Sequence, residues 1–170
     1  MELSQVILDR RSVRHFNDKK LDRGIIEDIL EFAILAPSAH NKQPWHFVVV
    51  QDQEEKSKIS LLLSSGSSDP VMTTCDVIRD CSALVLVFAD ITDEVMDVQS
   101  VGACIENMIL RARDLDVASL WIGYILELEK ELQKEFSLEK KLIAAVALGY
   151  TDHYPSKRPR KTLEEVSTWC

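Results

Sequence analysis

Two stretches of this sequence, Ala83-Leu-Val-Leu-Val-Phe-Ala89 and Leu142-Ile-Ala-Ala-Val-Ala-Leu148, contain no polar side chain at all. Side chains of a strand alternate between its two faces, so a run that is apolar at every position needs cover on both sides. Both runs are strand-sized and far too short to span a bilayer, and no longer apolar run exists. The fold must therefore place helices above and below a sheet whose central strands are these two.

The helices are legible as 3.6-residue periodicity. Leu3, Val6, Ile7 and Arg10 predict a short first helix over 2–10. Asp22 is placed to cap a second helix with Ile25, Ile29, Phe32, Ala33 and Ala36 as its buried stripe, and Pro37 stops it. Glu54–Leu63 reads as a third helix, followed by a Ser64–Ser68 connector. Val98, Val101, Ile105, Met108, Ile109 and Ala112 mark a long one over Asp97–Asp114, and Leu128, Leu132 and Phe136 mark another. Trp45–Val50 and Val117–Ile122 read as further strands, rich in aromatic and β-branched residues. Pro155 and Pro159 break regular structure, and Thr162-Leu-Glu-Glu165 has the pattern of a capping box. Helices interleaved with strands covered on both sides imply a three-layer sandwich of the α/β or α+β class, and 170 residues without an internal repeat suit one domain over 1–170.

The formal net charge of −8 disfavours binding to nucleic acid or to an anionic membrane surface. Cys75, Cys81, Cys104 and Cys170 are scattered, and neither they nor His15, His40, His46 and His153 have zinc-ligand spacing, so no metal is expected. Without a signal-like N-terminus the expected location is the cytosol, with free thiols. There is no Gly-x-Gly-x-x-Gly turn, no P-loop and no Gly-x-Ser-x-Gly elbow.

The positive charge that does exist is clustered. Arg10, Arg11 and Arg14 stand near the start; Lys157, Arg158, Arg160 and Lys161 stand near the end. In an extended segment Arg10, Ser12 and Arg14 share one face, and two guanidinium forks beside a hydroxyl suit a phosphate. Arg158-Pro-Arg160 is a second alternating pair, stiffened by proline. Read alone, either cluster is equally a solvated basic turn. Pro37-Ser-Ala-His-Asn-Lys-Gln-Pro-Trp45 supplies the uncharged donors and acceptors of Ser38, Asn41 and Gln43, the type that reads the polar edge of a planar heterocycle. Trp45 has the character of core, and His40 fits surface, turn or ligand alike. Leu120-Trp-Ile-Gly123 ends a strand in a glycine, which permits close approach to backbone amides.

Taken in order, Arg10-Arg-Ser-Val-Arg-His-Phe16, Ala36–Trp45, Gly102–Leu110, Trp121-Ile-Gly123, Ala147-Leu-Gly-Tyr150 and Arg158–Glu165 resemble the nitroreductase family of FMN-dependent oxidoreductases. The resemblance implies an α+β three-layer sandwich with a mixed or antiparallel sheet, working as an intertwined homodimer with FMN at the subunit interface. It implies that Arg10, Arg11, Ser12 and Arg14, joined by Arg158 and Arg160, hold the phosphate and ribityl chain. Pro37, Ser38, Ala39, Asn41 and Gln43 would approach the flavin from the partner, with backbone around Trp121, Ile122 and Gly123 near its reactive nitrogen. The activity implied is ping-pong hydride transfer from NAD(P)H to a nitroaromatic, quinone or similar planar acceptor, with no catalytic side chain, because the cofactor carries the chemistry. The alternative is a module that stores, senses or presents FMN without rapid NAD(P)H turnover; dehalogenation and flavin breakdown also occur among relatives of this type. The chain departs from the pattern in three ways. Asp116-Val-Ala118 stands where larger members have Gly-Leu-Gly, the helices that cover the substrate pocket are missing, and a mid-chain flavin ligand has no counterpart near Ser64–Asp69.

Overall fold

In a computed structural model, which describes residues 2–64 and 69–170, the two apolar runs lie side by side at the centre of a four-stranded antiparallel sheet. Its strands are β1 (Trp45–Val50), β2 (Ala83–Ala89), β3 (Ala118–Ile122) and β4 (Lys141–Gly149), in the order β1-β2-β4-β3. Every residue of β2 is buried. Around the sheet stand α1 (Leu3–Asp9), α2 (Arg23–Ala33), α3 (Gln53–Ser64), α4 (Asp69–Asp80), α5 (Glu94–Asp114), α6 (Glu129–Glu135) and the single turn α7 (Leu163–Val166).

The pleat sorts the core into two layers. Val85, Val87, Ala144 and Val146 face α2 and α5, meeting Ile26, Ile29, Ala33, Val101, Ile105 and Met108. Leu84, Leu86, Phe88, Ala145 and Ala147 face α3, α4 and α6, meeting Ile59, Leu63, Val77, Ile78 and Leu132. Between these pairs the register steps from Val87 opposite Ala144 to Phe88 opposite Leu142. That bulge inserts Ile143 and re-phases β4, so Leu142 joins the second layer instead of the first. The result is the α+β three-layer sandwich, with the sheet antiparallel throughout.

Several details depart from the sequence expectation. Asp22 occupies the position before α2, but its side chain makes no capping bond. Ile26, Ile29 and Ala33 carry the buried stripe of α2, whereas Phe32 is 44% exposed, with the Arg111 guanidinium lying over its ring. The long helix α5 begins a turn early because Asp93 caps it, accepting from the amides of Val95 and Met96. The helix α4 has no counterpart among the expected elements: Pro70 falls in its first turn, where proline removes no hydrogen bond, but reads in sequence as a breaker. Of the expected connector, 65–68 lie outside the described residues.

Buried polar groups tie the turn before β2 to its neighbours. Lys56 is fully buried and donates to the Cys81 carbonyl, and burial holds its pKa below the ordinary lysine value. The Ser82 hydroxyl accepts from the Leu21 amide at 2.6 Å, while the Ser82 amide donates to Leu148 at 2.9 Å. Burial pushes the thiols of Cys81 and Cys104 up to about 12, so both stay protonated at neutral pH and are poor nucleophiles. Among the described residues no helix is long and apolar enough to cross a membrane, and no cluster of His, Cys, Asp and Glu can hold a metal.

The segment after α1 runs along the free edge of β3. Val13 is buried and its amide donates to the Ser119 carbonyl at 3.0 Å, so Ser12 and Arg14 on either side of it face outward. Phe16 then packs beneath Gly149: a Cβ there would come within 2.7 Å of the Phe16 ring and 3.2 Å of the Ser82 amide nitrogen. We therefore expect Gly149→Ala to cost on the order of 1–3 kcal/mol in denaturant unfolding, since the crowding is partly against backbone. An unchanged midpoint would show that the segment does not depend on this contact.

Candidate functional site

Beside the end of β3 opens a cleft of about 770 Å³, lined by Arg14, Thr73, Thr74, Val77, Leu120, Trp121, Ile122, Gly123, Tyr124, Glu127 and Arg158. Each wall follows from a local rule. Leu120 and Ile122 belong to the layer under α4 and form an apolar floor with Val77. Strand alternation turns Trp121 the other way, its indole reaching α5 near Gly102, so β3 offers the cleft main chain at that position. At Gly123 a Cβ would meet nothing within 4 Å and φ is −87°, so neither packing nor backbone requires glycine there. The chain then enters a 3-10 helix, Tyr124–Leu128. With three residues per turn, Ile125 and Leu128 share the buried face, while Tyr124 and Glu127 share the face that lines the cleft.

Arg14 and Arg158, which lie 144 positions apart in sequence, meet in this cleft. Arg14 Nη1 reaches the Ser12 carbonyl at 3.4 Å, and neither guanidinium pairs with a carboxylate among the described residues. The other sequence candidates lie elsewhere. Arg10 is half-buried with its Nε 4.0 Å from Glu106 of α5. Arg11 folds back to donate to the carbonyls of Leu8 at 2.7 Å and Arg10 at 2.8 Å, and its buried Nε has no partner. Ser12 is exposed on the edge of β3, and Arg160 donates to the backbone of Arg158 and Pro159. The walls that sequence reasoning missed are Thr73, Thr74, Val77, Tyr124 and Glu127; the one signal for the last two was their position just after Gly123.

Pro37, Ser38, Ala39, Asn41 and Gln43 do not line the cleft of their own chain. They form a separate loop held in an uncommon shape, with His40, Asn41 and Gln43 at φ of 53°, 54° and 49°. Bonds from beneath fix it. The Ala39 amide donates to Ser100 Oγ at 3.2 Å, and the Gln43 amide to Ser38 Oγ at 3.0 Å. Lys42 reaches inward to Thr92 Oγ1 at 2.7 Å and Asp97 Oδ1 at 3.3 Å. Asp97 also accepts from the amides of Asp93 and Thr92, both at 2.8 Å, and these bonds, with Lys42 behind them, hold its carboxyl down at about 2. With Lys42 turned inward, the outer surface of the loop keeps uncharged donors and acceptors.

The turn between α5 and β3 keeps its shape without glycine. Asp116 itself adopts φ 57°, and its carboxylate accepts from Arg113 at 2.8 Å. Aspartate tolerates the left-handed region better than most residues, so this departure leaves the β3 end in place. Of Ser64–Asp69, the stretch near which a mid-chain flavin ligand has no counterpart, 65–68 lie outside the described residues.

An antiparallel α+β sandwich with a cationic, ligand-sized cleft at its sheet edge defines a class of ligand-binding domain, and comparison narrows it. A sequence model of the nitroreductase family matches residues 7–150, and the chain belongs to that family. A relative from Archaeoglobus fulgidus with a provisional NADH dehydrogenase/NAD(P)H nitroreductase name is 36% identical over 157 residues, covering 88% of this chain and 85% of that one. The crystal structure of a provisionally assigned nitroreductase from Desulfovibrio desulfuricans in complex with FMN superposes with a TM-score of 0.84 at 29% identity, covering 98% of this chain and 95% of the other. NfrA2 of B. megaterium shares the fold with a TM-score of 0.86 at 21% identity, over 99% of this chain and 74% of its own.

The latch under the loop makes a prediction with a definite sign. Asp97 has its carboxyl lowered from the ordinary 3.8 to about 2, so its stabilisation is complete above the ordinary value and is lost as pH falls through the folded one. Asp97→Asn should lower stability by a constant amount above about pH 5, and the gap to wild type should close between about pH 4 and pH 2. Urea unfolding across that range checks it; a gap independent of pH would mean that the carboxylate charge does not hold the loop.

Proposed function

We propose that this chain is an FMN-dependent oxidoreductase that passes hydride from NAD(P)H to a nitroaromatic, quinone or similar planar acceptor. The observation that carries the reading is the meeting of Arg14 and Arg158, both without carboxylate partners, in a cleft that continues into the main chain of Trp121–Gly123. The residues fit the cofactor. The cleft lies within the roughly 300–1,000 Å³ typical of small-molecule sites. Two guanidiniums in its lining suit a phosphate, and the floor of Val77, Leu120 and Ile122 suits the apolar face of a planar ring.

When bound, FMN supplies the two-electron chemistry, so the site needs no catalytic side chain. The chain's own task is to hold and orient. Arg14 and Arg158 would take the phosphate, with Arg10, Arg11, Ser12 and Arg160 around the ribityl end. The amides near Gly123 would face the reactive edge of the ring, where the missing Cβ leaves room. The loop of Pro37, Ser38, Ala39, Asn41 and Gln43 would reach the flavin from a second copy, which accounts for its rigid outer surface and its distance from the cleft of its own chain. NAD(P)H and acceptor would use the same open face in turn, as a ping-pong sequence requires.

Two apolar surfaces support the homodimer this needs. One is a groove lined by Leu3, Phe32, Leu35 and Leu110 between α1, α2 and α5. The other is the C-terminal tail, on which Leu163 and Val166 are exposed and Trp169 is 84% exposed. Contiguous exposed apolar side chains are what an interface between copies would cover.

An absorbance spectrum of the purified protein, taken before and after anaerobic addition of NADH or NADPH, tests the reading. A flavin spectrum that bleaches promptly is expected. Bound flavin that resists both donors would indicate a binding module instead, and a colourless protein that ignores added FMN would refute the site. Replacing Arg14 or Arg158 with Ala should weaken FMN binding by about ten- to a hundredfold, the equivalent of a lost charge-assisted contact, with little change in unfolding midpoint. FMN affinity unchanged in both variants would overturn the phosphate assignment.

A further inference from the structure

We propose that Tyr124 and Glu127 form the acceptor-recognising wall of the cleft, and that Glu127 makes it favour neutral or cationic planar acceptors over carboxylated ones. The inference rests on the FMN reading above and deepens it. Among the described side chains, three charged ones line the cleft: Arg14, Arg158 and Glu127. Once a phosphate neutralises the two guanidiniums, Glu127 is the charge left among these three. It has no ion-pair partner among the described residues and is solvent-exposed.

Its aim is fixed by backbone geometry. The 3-10 helix Tyr124–Leu128 starts directly after Gly123 and is anchored by Ile125 and Leu128, both buried. Because i and i+3 eclipse in such a helix, the anchoring of one face dictates that Tyr124 and Glu127 stack on another. Thr73, one turn before the floor residue Val77 on α4, lines the same cleft. A planar acceptor entering the cleft would meet the Tyr124 ring, the uncharged Thr73 and a carboxylate at the 3-10 helix. Aromatic stacking serves every planar ring, whereas the carboxylate discriminates by charge.

The test uses FMN-loaded protein and two kinds of readout. First, benzoate and trimethylanilinium are titrated into oxidised wild type and Glu127→Gln, with binding followed as a perturbation of the flavin spectrum. The variant should bind benzoate about two- to fivefold more tightly and trimethylanilinium about two- to fivefold less tightly at low salt, as a single charge across partly solvated space allows. Second, dithionite-reduced protein is mixed with 4-nitrobenzoate, nitrobenzene or 4-nitro-N,N,N-trimethylanilinium. The ratio of variant to wild-type rate cancels each probe's own reactivity. It should rise for the anion, fall for the cation and stay near one for the neutral probe, with Glu127→Lys extending the same order and high salt erasing it. Tyr124→Leu should slow all three probes alike. Equal responses to all three probes in Glu127→Gln, or none, would overturn the proposal while leaving the FMN site standing. A charge response in protein that NAD(P)H cannot reduce would sustain the wall and sink the reductase reading. Failure to bind FMN would remove both.

Discussion

The helices that seal both faces of β2 and β4 decide where this sheet can offer anything to a ligand. With its two central strands fully covered, main chain and charge are available only at the edges and ends of the sheet. β3 is such an edge, with a short strand that ends in Gly123. The Arg10–Phe16 segment lies along it because Val13 is buried and Phe16 is clamped under Gly149. The same core therefore builds the floor of the cleft and delivers Arg14 to its rim.

Much of this was legible in the sequence because it rests on one-dimensional pattern. Two runs without a polar residue named the central strands, and helical periodicity found α2, α3 and α5 to within a turn at either end. What stayed hidden follows from interactions that pattern does not encode. Phe32 looks buried by spacing but lies outside the packed stripe of α2, where Arg111 covers its ring. The helix α4 combines a proline with two threonines, weak formers whose helix is stabilised by the burial of Val77 and Ile78. Asp116 replaces an expected glycine and makes the same turn with the help of Arg113.

The candidate site divides in the same way. Arg14, Arg158 and the Trp121–Gly123 strand end were visible as charge clusters and a terminal glycine, and they meet in one cleft. Arg10 and Arg11 carry the same charge, yet within this chain one leans toward Glu106 and the other turns back on its own helix end. Tyr124, Glu127 and Thr73 carried no motif, since walls that sort substrates need exposure and shape rather than a fixed residue pattern. The loop at 37–43 is built as firmly as the cleft, through Lys42, Asp97 and Ser100, and stands apart from it. A site shared between two copies reconciles these facts: each chain would present a cationic cleft to one flavin and a rigid polar loop to another.

Complementation between two defective subunits tests that central claim most directly. One variant carries Arg14→Ala with Arg158→Ala; the other carries Asn41→Ala with Gln43→Ala, so that each alone should bind FMN poorly at both of its sites. In a mixed dimer, formed by co-refolding and purified on two different tags, one site would combine the intact halves. The account predicts that the mixed dimer recovers about one tightly bound FMN per two chains. Mixed dimers that bind no more FMN than either parent would contradict a site built from both subunits.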